Sequence, residues 1–96
     1  MTRYARRTDA NQQAIAAACI AAGWHIEYTF AAGNGIPDMV AWKPGGLRVW
    51  VEVKQPGEKL TSAEKRFFSE FGPGLKLVVY GPQDACNKLA ELERNT

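Results

Sequence analysis

Two acids and a lysine interrupt the apolar run "GIPDMVAWKPGGLRVWVEVKQ", residues 35–55: Asp38, Glu52 and Lys54. Two carboxylates brought together repel unless a positive charge sits between them. A hard divalent cation such as Mg²⁺ meets that need, because it takes oxygen ligands and is commonly held by one or two carboxylates. A lysine on the same face can reach a phosphate oxygen or a water on the ion. The set points to a metal site able to act on phosphate. The competing reading is structural: a surface salt bridge between Glu52 and Lys54, with Asp38 capping a turn.

Whether the three residues meet depends on strand pairing. "DMVAW", residues 38–42, and "LRVWVEVK", residues 47–54, read as two strands around the turn signal "KPGG". Glu52 and Lys54 are two positions apart, so they project from one face. Asp38 joins them only in certain registers. With a loop of residues 43–47, Asp38 opposes Glu52, Val40 opposes Trp50 and Trp42 opposes Arg48. With a loop of 43–46, Asp38 opposes Val51 and the acids part to opposite faces. A bulge near Asp38 would restore the shared face. In the first register Trp42 and Trp50 also lie on the acids' face, as core, cleft wall or interface.

The remaining chain supplies the elements around this hairpin. Residues 9–22, "DANQQAIAAACIAA", read as a helix with Ile15, Ala18, Cys19 and Ala22 on one face. Asp9 and Gln12 resemble a capping box, and Gly23 closes the helix. "WHIEYTF", residues 24–30, reads as a strand alternating Trp24, Ile26, Tyr28 and Phe30, and "AAGNG" as a flexible loop. Thr61 and Glu64 form a second capping box, opening a helix whose apolar side is Phe67, Phe68 and Phe71. "LKLVVY", residues 75–80, is a fourth strand. Pro82 begins a last helix that buries Ala85, Leu89 and Leu92. The order is α-β-β-β-α-β-α, an α/β sandwich in which strands 1 to 3 form a meander.

Bulk properties bound the function. The 96 residues make one domain, with residues 1–8 a basic arm. A chain this short buries only about 60–70% of its unfolded surface, so a homodimer is expected. The net charge of +2 is too mild to declare a nucleic-acid binder. Its distribution says more: Arg3, Arg6 and Arg7 cluster at the start, and Lys59, Lys65 and Arg66 follow the hairpin. These groups are either solvated surface or phosphate contacts. Cys19 and Cys86 are read as reduced, half-buried residues, without zinc-ligand spacing. His25 is read as a structural residue of the first strand. The basic start followed by alanines loosely mimics a signal peptide, but removing it would delete a helix the core needs. A cytoplasmic location is therefore expected, and no segment is long enough to span a membrane.

"GIPD", a spacer and then "VEVK" resemble the PD-(D/E)XK nuclease superfamily. Pro37-Asp38 stands for its P-D and Glu52-Val53-Lys54 for its E-x-K, on strands in that superfamily's core order. The G-x-P-D form, the "LTSAEKRFF" segment and the opening "TDANQQAI" are similar to the compact VRR-NUC branch, common in phages and related to Holliday-junction resolvases. The likeness spans nearly the whole chain. It implies a restriction-endonuclease-like core with a mixed four-stranded sheet flanked by helices. It further implies Mg²⁺- or Mn²⁺-dependent hydrolysis of DNA phosphodiester bonds in the cytoplasm, that of the bacterial host for a phage protein. No organic cofactor and no membrane partner are implied. Asp38, Glu52 and the Val53 carbonyl would hold metal, and Lys54 would orient or deprotonate a water or stabilise the phosphate. Asn34 and Gln55 join the basic residues as nucleic-acid candidates.

One departure stands out. Many members carry a glutamate on the first helix, whereas this region offers Asp9, Asn11, Gln12 and Gln13. Gln12 or Asp9 would take that place, unless they only cap the helix. Glu64 stands where the family often has glutamine, and it is read here as a cap. The size of the chain favours branched or junction DNA read by shape over a specific duplex sequence. Two other classes compete: a binding module that kept the nuclease fold without the activity, and an accessory protein acting through protein contacts.

Overall fold

The computed structural model describes residues 10–70 and 74–96. The elements are α1 (Ala10–Ala21), β1 (His25–Tyr28), a short 3₁₀ turn (Phe30–Ala32), β2 (Met39–Trp42), β3 (Arg48–Val53), α2 (Ser62–Glu70), β4 (Leu75–Val79) and α3 (Pro82–Arg94). The strands form one mixed sheet in the order β1-β2-β3-β4. β1, β2 and β3 are an antiparallel meander, and β4 returns parallel to β3. That return needs a crossover, which includes α2. Among the described residues no helix is long and apolar enough to cross a membrane.

Strand alternation divides the sheet. Met39, Ala41, Val49 and Val51 are buried in one core with Ile15 and Cys19 of α1 and Ala85 and Leu89 of α3. The opposite face carries Val40, Trp42 and Trp50, all half-buried, and Arg48, which is exposed. α2 covers part of this second face, with Phe67 edge-on to Trp50 at 5.3 Å between ring centroids.

Several expectations are corrected. β1 stops at Tyr28 instead of reaching Phe30, because the Asp38 carbonyl accepts the Thr29 and Phe30 amides at 2.8 and 3.2 Å and curls the chain into the 3₁₀ turn. The Thr29 hydroxyl adds a 2.8 Å hydrogen bond to the Pro37 carbonyl. On α1 the buried stripe is Gln12, Ile15, Ala16 and Cys19, while Ala22 is exposed beyond the helix end. No residue of α2 is buried, so Phe67 and Phe68 make a partly open side, and Phe71 lies outside the described residues. Cys19 is fully buried and only Cys86 is half-buried; both are free thiols. Burial and the adjacent Cys86 push the Cys19 thiol up to about 11. His25 does lie in a strand, but it is exposed and stacks on Trp42 at 4.3 Å.

The turn after Trp42 settles the register. Lys43 donates to the Leu47 carbonyl and Gly46 to the Lys43 carbonyl, closing a five-residue loop over 43–47. Trp42 pairs with Arg48, Val40 with Trp50 and Met39 with Val51. Continued one step beyond its last pair, the same register sets Asp38 opposite Glu52. Strand β2 begins only at Met39, so Asp38 stands at its threshold.

Gly35 locks the loop before Asp38 onto α2. Its φ is +82°, and a Cβ there would overlap the Ala63 carbonyl in the first turn of α2. A Gly35→Ala protein is expected to lose roughly 1–3 kcal/mol of stability, from the left-handed backbone and the overlap together. Chemical denaturation checks this; an unchanged midpoint would contradict the docking of this loop on α2.

Candidate active site

Asp38, Glu52 and Lys54 are all buried, at 4%, 3% and 6% exposure. Three ionisable groups so deep in so small a domain need partners, since an unpaired buried charge is costly. The Asp38 Oδ2 accepts the Val53 backbone N–H at 2.8 Å, which orients that carboxylate across the hairpin. The Lys54 amide donates to the Val79 carbonyl at 3.0 Å, so β4 holds the strand end that carries the lysine. The surface salt bridge and turn cap of the structural reading are thus both replaced by buried contacts.

The close partner of Lys54 is Glu64, a site residue that the sequence reading took for a cap. The Lys54 Nζ lies 2.8 Å from Glu64 Oε1, against 3.7 Å from Glu52 and 3.7 Å from Glu58. The cap exists as well: Glu64 Oε1 accepts the Thr61 amide at 2.8 Å, and the Glu64 amide donates to the Thr61 hydroxyl at 3.2 Å. The capping box was readable from spacing. Its second use was not, because it depends on how α2 docks against β3.

Electrostatics single out Glu52. Burial raises its carboxyl most, then the charges of Asp38 and Glu64 and a hydrogen bond with Glu64 raise it further. Lys54 offsets only part, and the group is pushed up to about 9. Its Oε1 atom is buried with no hydrogen-bond partner. Lys54 moves the other way. Burial alone would lower its pKa, but the Glu64 hydrogen bond and the Glu64, Glu52 and Glu58 charges outweigh that and raise it. Burial would raise Glu64, whereas hydrogen bonds from Lys54, the Thr61 backbone and Glu52 bring it below its ordinary value.

The other expected site residues are distributed unevenly. Gln12 is buried, at the head of the α1 stripe. Arg3, Arg6, Arg7 and Asp9 lie outside the described residues. Asn34, Gln55, Lys59 and Lys65 are exposed. Asn34 has a left-handed φ of 57°, and the Gln55 amide donates to Glu58 at 2.8 Å, making Gln55 the start of a tight loop beside Lys54. Among the described residues no cluster of three or more His, Cys, Asp or Glu side chains could hold a metal ion.

The VRR-NUC domain model matches residues 6–73, which take in α1, the hairpin, the Gly35–Asp38 loop and α2. The chain belongs to the VRR-NUC family. This is a PD-(D/E)XK-like nuclease family, and the mixed sheet with flanking helices is its restriction-endonuclease-like fold. A nuclease-type function with DNA as substrate follows at the family level. No curated protein and no solved structure matches the chain. The VRR-NUC match ends before β4 and α3, yet β4 carries the Val79 carbonyl that anchors Lys54.

The raised Glu52 gives a pH signature. Its ordinary pKa is 4.5 and its folded value about 9, so the folded protein binds this proton more tightly than the unfolded chain. The resulting stability is full below pH 4.5 and is lost as pH rises toward 9. Without added metal, Glu52→Gln is expected to be more stable than the parent at pH 8 by roughly 1 kcal/mol or more, with the gap narrowing toward pH 5. Denaturation midpoints across that range test it, and a pH-independent gap would contradict the raised carboxyl.

Proposed function

We propose that this chain is a Mg²⁺- or Mn²⁺-dependent DNA endonuclease in which Asp38 and Glu52 hold the ion and Lys54 faces the phosphate. The observation that carries this reading is the buried Asp38–Glu52 pair with Lys54 beside it, on the strands that the PD-(D/E)XK motif requires. The two carboxylates suit a hard cation, and the Val53 carbonyl and Gln12 are the neutral oxygens proposed to complete its shell. Glu52 supports the fit directly, since its Oε1 has no hydrogen-bond partner and its charge is opposed by two neighbouring acids. A bound ion would polarise the phosphate and lower the pKa of a water.

The chain's own groups then have distinct parts. The Val53 amide keeps Asp38 oriented toward Glu52. On binding the ion, Glu52 would release to solvent the proton that burial and its neighbours favour. Lys54, ringed by Glu64, Glu52 and Glu58, is held as an ammonium. That supports a role in stabilising charge on the phosphate over one as general base. Exposed Lys59, Lys65 and Arg66 lie on the loop and helix that follow Lys54, where a DNA backbone could run.

The proposed substrate is branched or junction DNA, cut by a homodimer. The radius of gyration is 12.8 Å, and a domain of that size has little surface to spare for reading bases in a groove. A second reading, a binding module without activity, is supported by the first helix, which offers Gln12 and Gln13 where many family members carry a glutamate.

Cleavage of junctions, flaps, single strands and plain duplex should be compared with Mg²⁺ and with Mn²⁺. The expected result is cutting of a branched form, lowered about a hundredfold or more by Asp38→Ala or by Lys54→Ala. Cutting that survives both substitutions would overturn the assignment. DNA binding without cutting or Mn²⁺ uptake would favour the module.

A further inference from the structure

The sheet face that carries Glu52 also carries Arg48 and Trp50 of β3, and Val40 and Trp42 of β2. α2 leaves part of it open. Beside Trp50 lies a cavity of about 550 Å³, lined by Val40, Leu47, Arg48, Trp50, Leu75 and two glycines. That volume is in the range of small-ligand sites, and the mix of an apolar lining with one polar group is typical of them. Among the described residues Arg48 is the one charge in the lining; it is exposed and makes no ion pair. Trp42, stacked on His25 at 4.3 Å, is its cross-strand partner. Val40 and Trp50 are also a cross-strand pair. The next pair on that face is Asp38 with Glu52, roughly 7 Å along the strands. A strand held at the two acids thus has a neighbouring nucleotide within reach of the cavity.

We propose that this cavity is a subsite for one unpaired nucleotide of the substrate strand, its base against Trp50 and the aliphatic lining and its phosphate on Arg48. An aromatic, anionic ligand matches an apolar cavity whose single charge is a guanidinium. A paired base would first have to leave its stack, which costs free energy, whereas an unpaired one enters at little cost. The subsite therefore selects DNA with an unpaired nucleotide beside the cut, such as a flap, a gap or a single strand. A second copy of the chain is the poorer occupant. An isologous contact centred on the cavity would bring two Arg48 side chains together, and the lining offers no acid to offset them. The link to cleavage rests on the nuclease reading; the fit of a nucleotide to the cavity does not.

Binding to metal-free protein tests this without calling on catalysis. The probes are a fluorescein-labelled single-stranded oligothymidylate and a blunt hairpin duplex. The single strand should bind more tightly. Arg48→Ala should weaken its binding about tenfold, the scale of one charge-assisted hydrogen bond, and make the salt dependence shallower. Gly46→Glu, which sets an acid at an exposed position of the lining, should weaken it at least as much. Both positions are exposed, so the fold is expected to hold, as circular dichroism would check. An oligonucleotide bearing 5-iododeoxyuridine, irradiated on the protein and followed by peptide mass spectrometry, should label Trp50 or Trp42. Equal binding of single strand and duplex, or unchanged single-strand binding in both variants, would overturn the proposal. So would labelling confined to residues outside this face, or a dimer that keeps the face covered while the single strand is bound. An inactive parent protein would defeat the nuclease reading and leave the binding and labelling results to decide the subsite.

Discussion

Three ionisable side chains are buried at one end of a small sheet, and the architecture around them keeps that arrangement tolerable. Asp38 is met by the Val53 amide and Lys54 by Glu64, while Glu52 is opposed by two acids and only partly compensated. Burial of an uncompensated charge disfavours the folded state unless the group takes up a proton or gains a counter-ion. Burial and its acidic neighbours push the Glu52 carboxyl up to about 9, which favours its protonated form. The site therefore carries unfavourable electrostatics that a cation would relieve, a usual sign of a functional rather than a stabilising arrangement.

Positions around the site follow from that need. The five-residue turn over 43–47 puts Asp38 opposite Glu52, and the pleat puts Glu52 and Lys54 on one side of β3. The left-handed Gly35 lets the loop before Asp38 press against α2, whose first turn delivers Glu64 to the lysine. The parallel strand β4 closes the far side through Val79. The core on the other face, from Ile15 to Leu89, provides the apolar burial that offsets this strained polar end.

Much of this was legible in the residues. Period-two alternation placed Glu52 and Lys54 together, and the T-x-x-E spacing located the start of α2. The register was legible only as a choice between turn lengths, because periodicity cannot count loop residues. Tertiary contacts decided the rest. The end of β1 is set by the Asp38 carbonyl, which lies across the loop from Thr29. The double use of Glu64 depends on helix docking, which no local pattern encodes. The phenylalanines of α2 looked like a core stripe, yet the helix rests on the half-buried Trp50 and stays partly open. Gln12 sits on the buried side of α1, where a polar side chain at the head of an apolar stripe reads equally well as a cap.

The central claim is that the Asp38–Glu52 pair is built for a divalent ion. A crystal structure of the protein grown with Mn²⁺, with data collected at the manganese absorption edge, tests it most directly. The account predicts an anomalous peak in contact with both carboxylates. Ordered Asp38 and Glu52 with no peak between them, at saturating Mn²⁺, would contradict it.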